Sequence, residues 1–103
     1  MKRPRRYSRM EAKAVMERLW RHYMTSAAVQ DMEGQPEEAA RERELAAVAK
    51  RAAGMLENRS PLVVFAALRE FSRGETEGEL QEARVEEVLL YGIAILEGRK
   101  APP

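Results

Sequence analysis

Hydrophobic residues in this 103-residue chain recur every three or four positions, and no segment alternates between apolar and polar residues as a half-buried strand does. The spacing therefore predicts an all-α fold. Breaks that contain glycine, proline or serine divide the chain into four helical segments with short connections. Because short connections favour antiparallel neighbours, we expect a four-helix up-and-down bundle with a short third helix.

The first two helices have clear start signals. Ser8 and Glu11 have the spacing of a capping box, which predicts that the first helix begins at Ser8. The segment 32–38 reads as a turn, and Pro36 suits the first turn of a second helix that extends to about Glu57. The predicted core stripes are Ala12, Val15, Met16, Leu19, Trp20, Tyr23, Met24 and Ala27 in the first helix, and Leu45, Val48, Ala49, Ala52, Met55 and Leu56 in the second.

The third helix is predicted to begin with Ser60 as N-cap and Pro61 in its first position. Its apolar run LVVFAAL, 62–68, would by itself also suit a buried strand. The cap before the run and the polar residues after it favour a helix. Gly74 then supplies a left-handed residue that ends the helix near Arg73.

The fourth helix changes character along its length. Thr76 and Glu79 form a second capping-box spacing, so we expect this helix to run from Thr76 to Glu97 and to end at Gly98. Its second half, VLLYGIAIL, is apolar on every side and needs covering from more than one direction. Either the chain's own helices cover it, or a second subunit does. The candidate oligomer or partner interface is Leu89, Tyr91, Gly92, Ile93 and Leu96.

Glutamates at spacings of four and three line the first half of the fourth helix. This acidic stripe is Glu75, Glu79, Glu82 and Glu86. We interpret it as a solvated acidic face, although carboxylates can also bind a divalent cation. The single histidine, His22, lies among charged residues, and no nucleophile triad, metal motif or phosphate loop is present. The sequence thus predicts no catalytic residue, no cofactor and no small-molecule substrate.

Charge is distributed unevenly along a chain whose net charge is +1. Residues 1–23 hold eight cations and two glutamates, whereas the remainder holds ten cations and fifteen acidic residues. Arg9 and Lys13 lie in the first turns of the first helix, where cations are unfavourable, so stability alone does not explain them. The four cations of residues 2–6 precede the cap and flank Pro4, so we interpret residues 1–7 as a flexible basic arm for an anionic partner. That partner is either DNA or RNA, or a carboxylate surface such as the acidic stripe of another copy. The candidate contacts are Lys2, Arg3, Arg5, Arg6, Tyr7, Arg9, Lys13, Arg18 and Arg21.

Composition sets the remaining expectations. Residues 8–98 form one predicted domain, and residues 99–103 a frayed tail. The chain has no cysteine and no apolar run long enough for a membrane span, so we expect it in the cytoplasm. The leading hypothesis is a non-enzymatic helical interaction module, a homodimer or a subunit of a larger assembly. The alternative is a nucleic-acid-associated accessory protein that binds phosphates through its basic arm and first helix.

Overall fold

Four helices make up the computed structural model, which describes residues 7–74 and 81–103. They are α1 (Arg9–Met32), α2 (Pro36–Met55), α3 (Pro61–Gly74) and α4 (Glu82–Leu96). No strand occurs in these two ranges, so the all-α prediction is confirmed. The third helix is the shortest, at 14 residues. The up-and-down order of the helices stays a prediction.

The local start signals of α1 and α2 act as the sequence predicts. The Ser8 hydroxyl accepts a hydrogen bond from the Glu11 amide at 3.1 Å, which confirms Ser8 as the N-cap. Pro36 is the first residue of α2. In the turn between the two helices Gly34 has a φ of 73°, a left-handed conformation that glycine adopts without steric cost.

α1 and α2 form an antiparallel hairpin. Arg43 bonds Asp31 at 2.8 Å near the turn, and Arg9 contacts the backbone of Leu56 at the other end. The buried residues between them follow the predicted stripes closely; those of the hairpin are Ala12, Met16, Leu19, Tyr23, Ala27, Ala39, Leu45, Ala46, Val48, Ala49, Ala52, Ala53 and Leu56. Met24 departs from the prediction, because it lies at the edge of the apolar arc and is 46% exposed.

The run LVVFAAL lies in α3, so its prediction as a helix is confirmed. The Ser60 hydroxyl accepts a hydrogen bond from the Val63 amide at 3.4 Å, as expected of an N-cap. The prediction that Gly74 follows the helix as a left-handed residue is wrong, because α3 includes Gly74.

The predicted start of α4 is also wrong. Gln81 has extended backbone angles and is the N-cap of a helix that begins at Glu82. A helix from Thr76 would have to pass through this extended residue; Thr76 and Glu79 themselves lie outside the described residues. At the other end Gly98 has a φ of 77°, which confirms the predicted stop.

α4 packs against α1, α2 and α3. Arg84 reaches Glu44 of α2 at 3.0 Å, whereas Arg69 and Arg73 of α3 bind Glu86 and Glu82 at 2.8 and 3.2 Å. The order of these last two pairs shows that α3 and α4 run antiparallel along their contact. Across the two described ranges, no helix is long and apolar enough to cross a membrane.

Candidate functional site

The basic N-terminal segment is only partly within the described ranges. Lys2, Arg3, Arg5 and Arg6 lie outside them. Tyr7 is partly buried and packs against the hydrophobic core. Its assignment to the flexible arm is therefore corrected, because a ring held against the core does not offer its face to a nucleic-acid base.

Arg9 binds the C-terminal end of α2. Its Nη1 atom donates to the carbonyl oxygens of Leu56 and Glu57, both at 2.7 Å. These carbonyls lie where α2 ends and carry the negative end of its dipole, so a guanidinium stabilises them. The sequence argument that stability does not explain a cation at this position was wrong. The compensating group lies 47 residues away in the chain.

Lys13 has two carboxylate partners. Its Nζ atom lies 2.9 Å from Glu57 and 3.3 Å from Glu17. The hydrogen bond to Glu57 is the main reason that the pKa of Lys13 is raised, and the same bond lowers the pKa of Glu57. Lys13 and Arg9 thus join α1 to the end of α2, and their contact with an external anion stays a prediction.

Replacing Arg9 with alanine is expected to lower the free energy of unfolding by about 1 kcal/mol, because two carbonyl oxygens lose a charged donor. Chemical denaturation followed by the fluorescence of Trp20 measures the loss. Arg18→Ala is the matched control, since Arg18 is exposed in the same helix and should change stability by less than about 0.5 kcal/mol. Equal effects of the two substitutions would contradict this assignment of Arg9.

Arg18 and Arg21 remain on the solvent side of α1, as the sequence predicts. Arg21 lies 3.7 Å from Glu17, and its side chain is 72% exposed. The two arginines border a small depression of about 240 Å³ that Pro102 also lines. Two cations beside a glutamate and the C-terminal tail form a weaker anion surface than the nine predicted contacts.

The C-terminal tail is partly held in place. The amides of Arg99 and Lys100 donate to the Ala94 carbonyl at 2.8 and 3.1 Å, and the Lys100 ammonium lies 5.1 Å from the centre of the Tyr91 ring. The prediction of a frayed tail is therefore corrected for these two residues, whose backbone completes the end of α4.

The acidic stripe is not a free surface where the structure describes it. Glu82 and Glu86 pair with arginines of α3, as given above, while Glu75 and Glu79 lie outside the described residues. Among residues 7–74 and 81–103, no group of three or more acidic, histidine or cysteine side chains is arranged to hold a metal ion. The described half of the stripe therefore fastens α4 to α3.

The predicted interface of α4 is largely buried by the chain itself. Leu89 is fully buried, Leu96 is 4% exposed and Gly92 is buried. A Cβ atom on Gly92 would lie 2.5 Å from the terminal methyl carbon of Met16, so α1 packs directly on the glycine backbone. These three residues are core positions instead of partner contacts, because α1 covers the apolar half of α4. Tyr91 and Ile93 stay partly exposed.

A different apolar surface is exposed along the contact between α3 and α4. Leu62 is 81% exposed and Leu90 is 58% exposed. Helical spacing places Leu62 and Ala66 on the line of Arg69 and Arg73, and it places Leu90 and Ile93 on the line of Glu82 and Glu86. Since the two ion pairs join these lines at Arg69–Glu86 and Arg73–Glu82, we infer that the lines continue side by side, and we call Leu62, Ala66, Leu90 and Ile93 the seam patch. Sequence periodicity alone had assigned Leu62 to a buried run.

A cationic groove follows the solvent side of the second half of α2. It has a volume of about 650 Å³, and its floor includes Gly54, whose missing side chain leaves open space above the backbone. We call it the α2 groove; it is lined by Ala47, Lys50, Arg51, Gly54, Met55, Asn58 and Arg59. The sequence analysis did not predict this groove. The spacing of Lys50, Arg51 and Gly54 places two cations and a glycine on one side of α2, and this pattern could have indicated it.

Aromatic rings hold two of these cations. The Lys50 ammonium lies 5.1 Å from the centre of the Trp20 ring, and the Arg51 guanidinium lies 4.4 Å from that of Phe71. Trp20 belongs to α1 and Phe71 to α3, so helices on both sides of α2 contribute to the placement of its cations. Such contacts stabilise a cation by about 0.5–1 kcal/mol at an exposed site and restrict its motion.

A buried polar cluster joins α1, α2 and α4. Burial raises the pKa of the Tyr23 hydroxyl, and the nearby carboxylate of Glu87 raises it further. Glu87 also binds Arg41 of α2. Within the described part of the chain the Tyr23 hydroxyl has no hydrogen-bond partner, and neither has the second oxygen of Glu87. Tyr23 therefore stays protonated at neutral pH and contributes no charge to this cluster.

Comparison with known proteins identifies no relative. No protein-family model, no curated protein and no solved structure matches the chain significantly.

Proposed function

We propose that this chain is a non-enzymatic helical interaction module that forms a homodimer through the seam patch. The observation that carries the proposal is the exposure of Leu62 and Leu90 on adjoining lines of α3 and α4. Full burial of one such side chain contributes about 1.5–3 kcal/mol. Two exposed leucines with Ala66 and Ile93 beside them therefore favour association with another apolar surface.

A second copy of the chain suits this surface because the patch borders charges of both signs. The Arg69–Glu86 pair lies next to it, with both side chains about one third exposed. In a two-fold dimer the same patch meets itself, so arginine of one copy can face glutamate of the other. The apolar patch would form the centre of the contact, and charged residues of α3 and α4 would form its rim.

The proposal changes which part of α4 meets the partner. Of the five residues that the sequence nominated, Ile93 belongs to the seam patch, whereas Leu89, Gly92 and Leu96 are buried and do not belong to it. Tyr91 is held beneath Lys100 of the tail. The lack of cysteine supports a reducing compartment, and we place the homodimer in the cytoplasm.

Sedimentation equilibrium at micromolar concentration tests the dimer. The wild-type chain should give about twice its monomer mass of 11.7 kDa. The double variant Leu62→Glu, Leu90→Glu should sediment as a monomer, because dimer formation would bury two charges on each copy. Its helical circular-dichroism spectrum should be unchanged, since both side chains are exposed in the monomer.

The matched control is Met10→Glu, Met32→Glu. It adds the same two charges at positions that are 58% and 88% exposed, at opposite ends of α1 and outside the seam patch. This control should keep the dimer mass. A monomeric wild type, or a double seam variant that stays dimeric, would rule out the proposed interface.

A further inference from the structure

We infer that the α2 groove binds the phosphodiester backbone of a nucleic acid strand. This activity is separate from dimer formation and uses a different face of the molecule. Among the described residues, the lining of the groove contains three cations, Lys50, Arg51 and Arg59, together with the amide side chain of Asn58, and no carboxylate. Cations and amide donors are the groups that proteins use to contact phosphate oxygens.

Two cations of the groove, Lys50 and Arg59, differ from most of the described surface in how their charges are compensated. Most other cations in residues 7–74 and 81–103 form an ion pair with a carboxylate: Lys13, Arg21, Arg41, Arg43, Arg69, Arg73, Arg84 and Arg99. Neither Lys50 nor Arg59 has such a pair within those ranges. Their charge is therefore available to an anion from solution, and Trp20 already positions Lys50.

The stability of α2 does not account for these cations. A cation stabilises a helix C-terminus when it lies in the last turn, and the last turn of α2 contains none. Arg9 already compensates the carbonyl groups at that end.

The length and shape of the groove fit a polymer better than a single small anion. Lys50 and Arg51 lie within α2 and Arg59 lies in the turn that follows it, so the cations are spread along the groove instead of meeting at one point. The groove is open at the surface, and a Cβ atom on Gly54 would meet nothing within 4 Å. A backbone can therefore approach the floor of the groove closely between the cations.

An acidic protein segment is the competing occupant. Protein partners gain most of their affinity from a few buried apolar or aromatic anchors. The groove offers only Ala47 and Met55 as apolar lining and has no enclosed pocket for such an anchor. Phosphates need no anchor, since the release of counterions supplies the affinity. The lining therefore favours nucleic acid.

Fluorescence anisotropy with a labelled 20-nucleotide single strand and with a duplex of the same sequence, over a series of salt concentrations, tests this inference. The variant Lys50→Gln, Arg51→Gln, Arg59→Gln should lower affinity at least ten-fold at low salt. It should also reduce the slope of log K against log salt by about 1.4 or more, because about 0.7 is lost for each strand phosphate that Lys50 and Arg59 contact. The single variant Arg59→Gln, at an exposed position, should reduce the slope by about 0.7.

The matched control is Arg43→Gln, Arg73→Gln, Arg99→Gln, which removes the same charge from exposed arginines that already have carboxylate partners. Its salt slope should equal that of the wild type. No binding by the wild type to either oligonucleotide, or unchanged slopes for the groove variants, would overturn the inference. So would poly-glutamate that displaces the strand at equal charge concentration, since the groove would then select carboxylates.

Sedimentation of the same variants measures dimer formation independently of strand binding. The triple groove variant should keep the sedimentation mass of the wild type, because none of its substitutions lies in the seam patch. Loss of strand binding with an unchanged mass supports the groove as a site independent of the dimer contact.

Discussion

Replacing Leu89 with alanine is expected to lower the free energy of unfolding by about 3 kcal/mol. Leu89 is fully buried, and removing most of its side chain loses transfer free energy and leaves a cavity that the packed helices cannot close. Denaturation is followed by the fluorescence of Trp20, the only tryptophan. The protein concentration should be one at which sedimentation gives the monomer mass, so that dimer formation does not contribute.

Leu90→Ala is the matched control, because the same atoms are removed from the neighbouring residue. Leu90 is 58% exposed, so the monomer should lose less than about 0.5 kcal/mol. The two variants should differ in the opposite way in their tendency to dimerise. Leu90→Ala should lower the sedimentation mass at a given concentration, whereas Leu89→Ala should leave it unchanged. Comparable losses of monomer stability in the two variants would show that α4 is not oriented as described.

Gly92→Val is expected to lower the free energy of unfolding by about 2 kcal/mol. A Cβ atom at this position would lie 2.5 Å from the terminal methyl carbon of Met16 and 3.6 Å from a methyl carbon of Leu19. Met16 is fully buried, so its side chain cannot move away without disturbing the core. Overpacking of this kind typically costs 1–3 kcal/mol, more than the helix propensity gained by replacing glycine.

Two further variants make this result specific. Gly54→Ala should raise stability by about 0.5–1 kcal/mol, because a Cβ atom there meets nothing within 4 Å and alanine is the better helix former. Adding Met16→Leu to Gly92→Val shortens the side chain that clashes, so the double variant should lose less stability than the two single losses combined. Strict additivity would contradict a direct contact between residues 16 and 92.

Local rules carried much of the fold prediction. The period of apolar residues identified four helices, and the signals at Ser8, Pro36, Ser60 and Gly98 agree with the observed caps and ends. Such signals involve groups only a few residues apart, so they can be recognised in the sequence. The same capping-box spacing that correctly marks Ser8 was wrong at Thr76, because Gln81 is extended and α4 begins only at Glu82.

The sequence alone determined the all-α class, the core stripes of the α1–α2 hairpin and the uneven distribution of charge. The tertiary structure decided what those charges and apolar residues do. Arg9 was predicted to contact an external anion. In the structure it donates a hydrogen bond to the carbonyl oxygen of Leu56, which lies 47 residues away in the sequence. Leu89, a candidate interface residue in the sequence, is buried by the chain itself, whereas Leu62, which belongs to an apolar run expected to be buried, is exposed to solvent. Helical periodicity shows which residues share a face, whereas only the packing of one helix on another decides which faces are covered and which cations remain available.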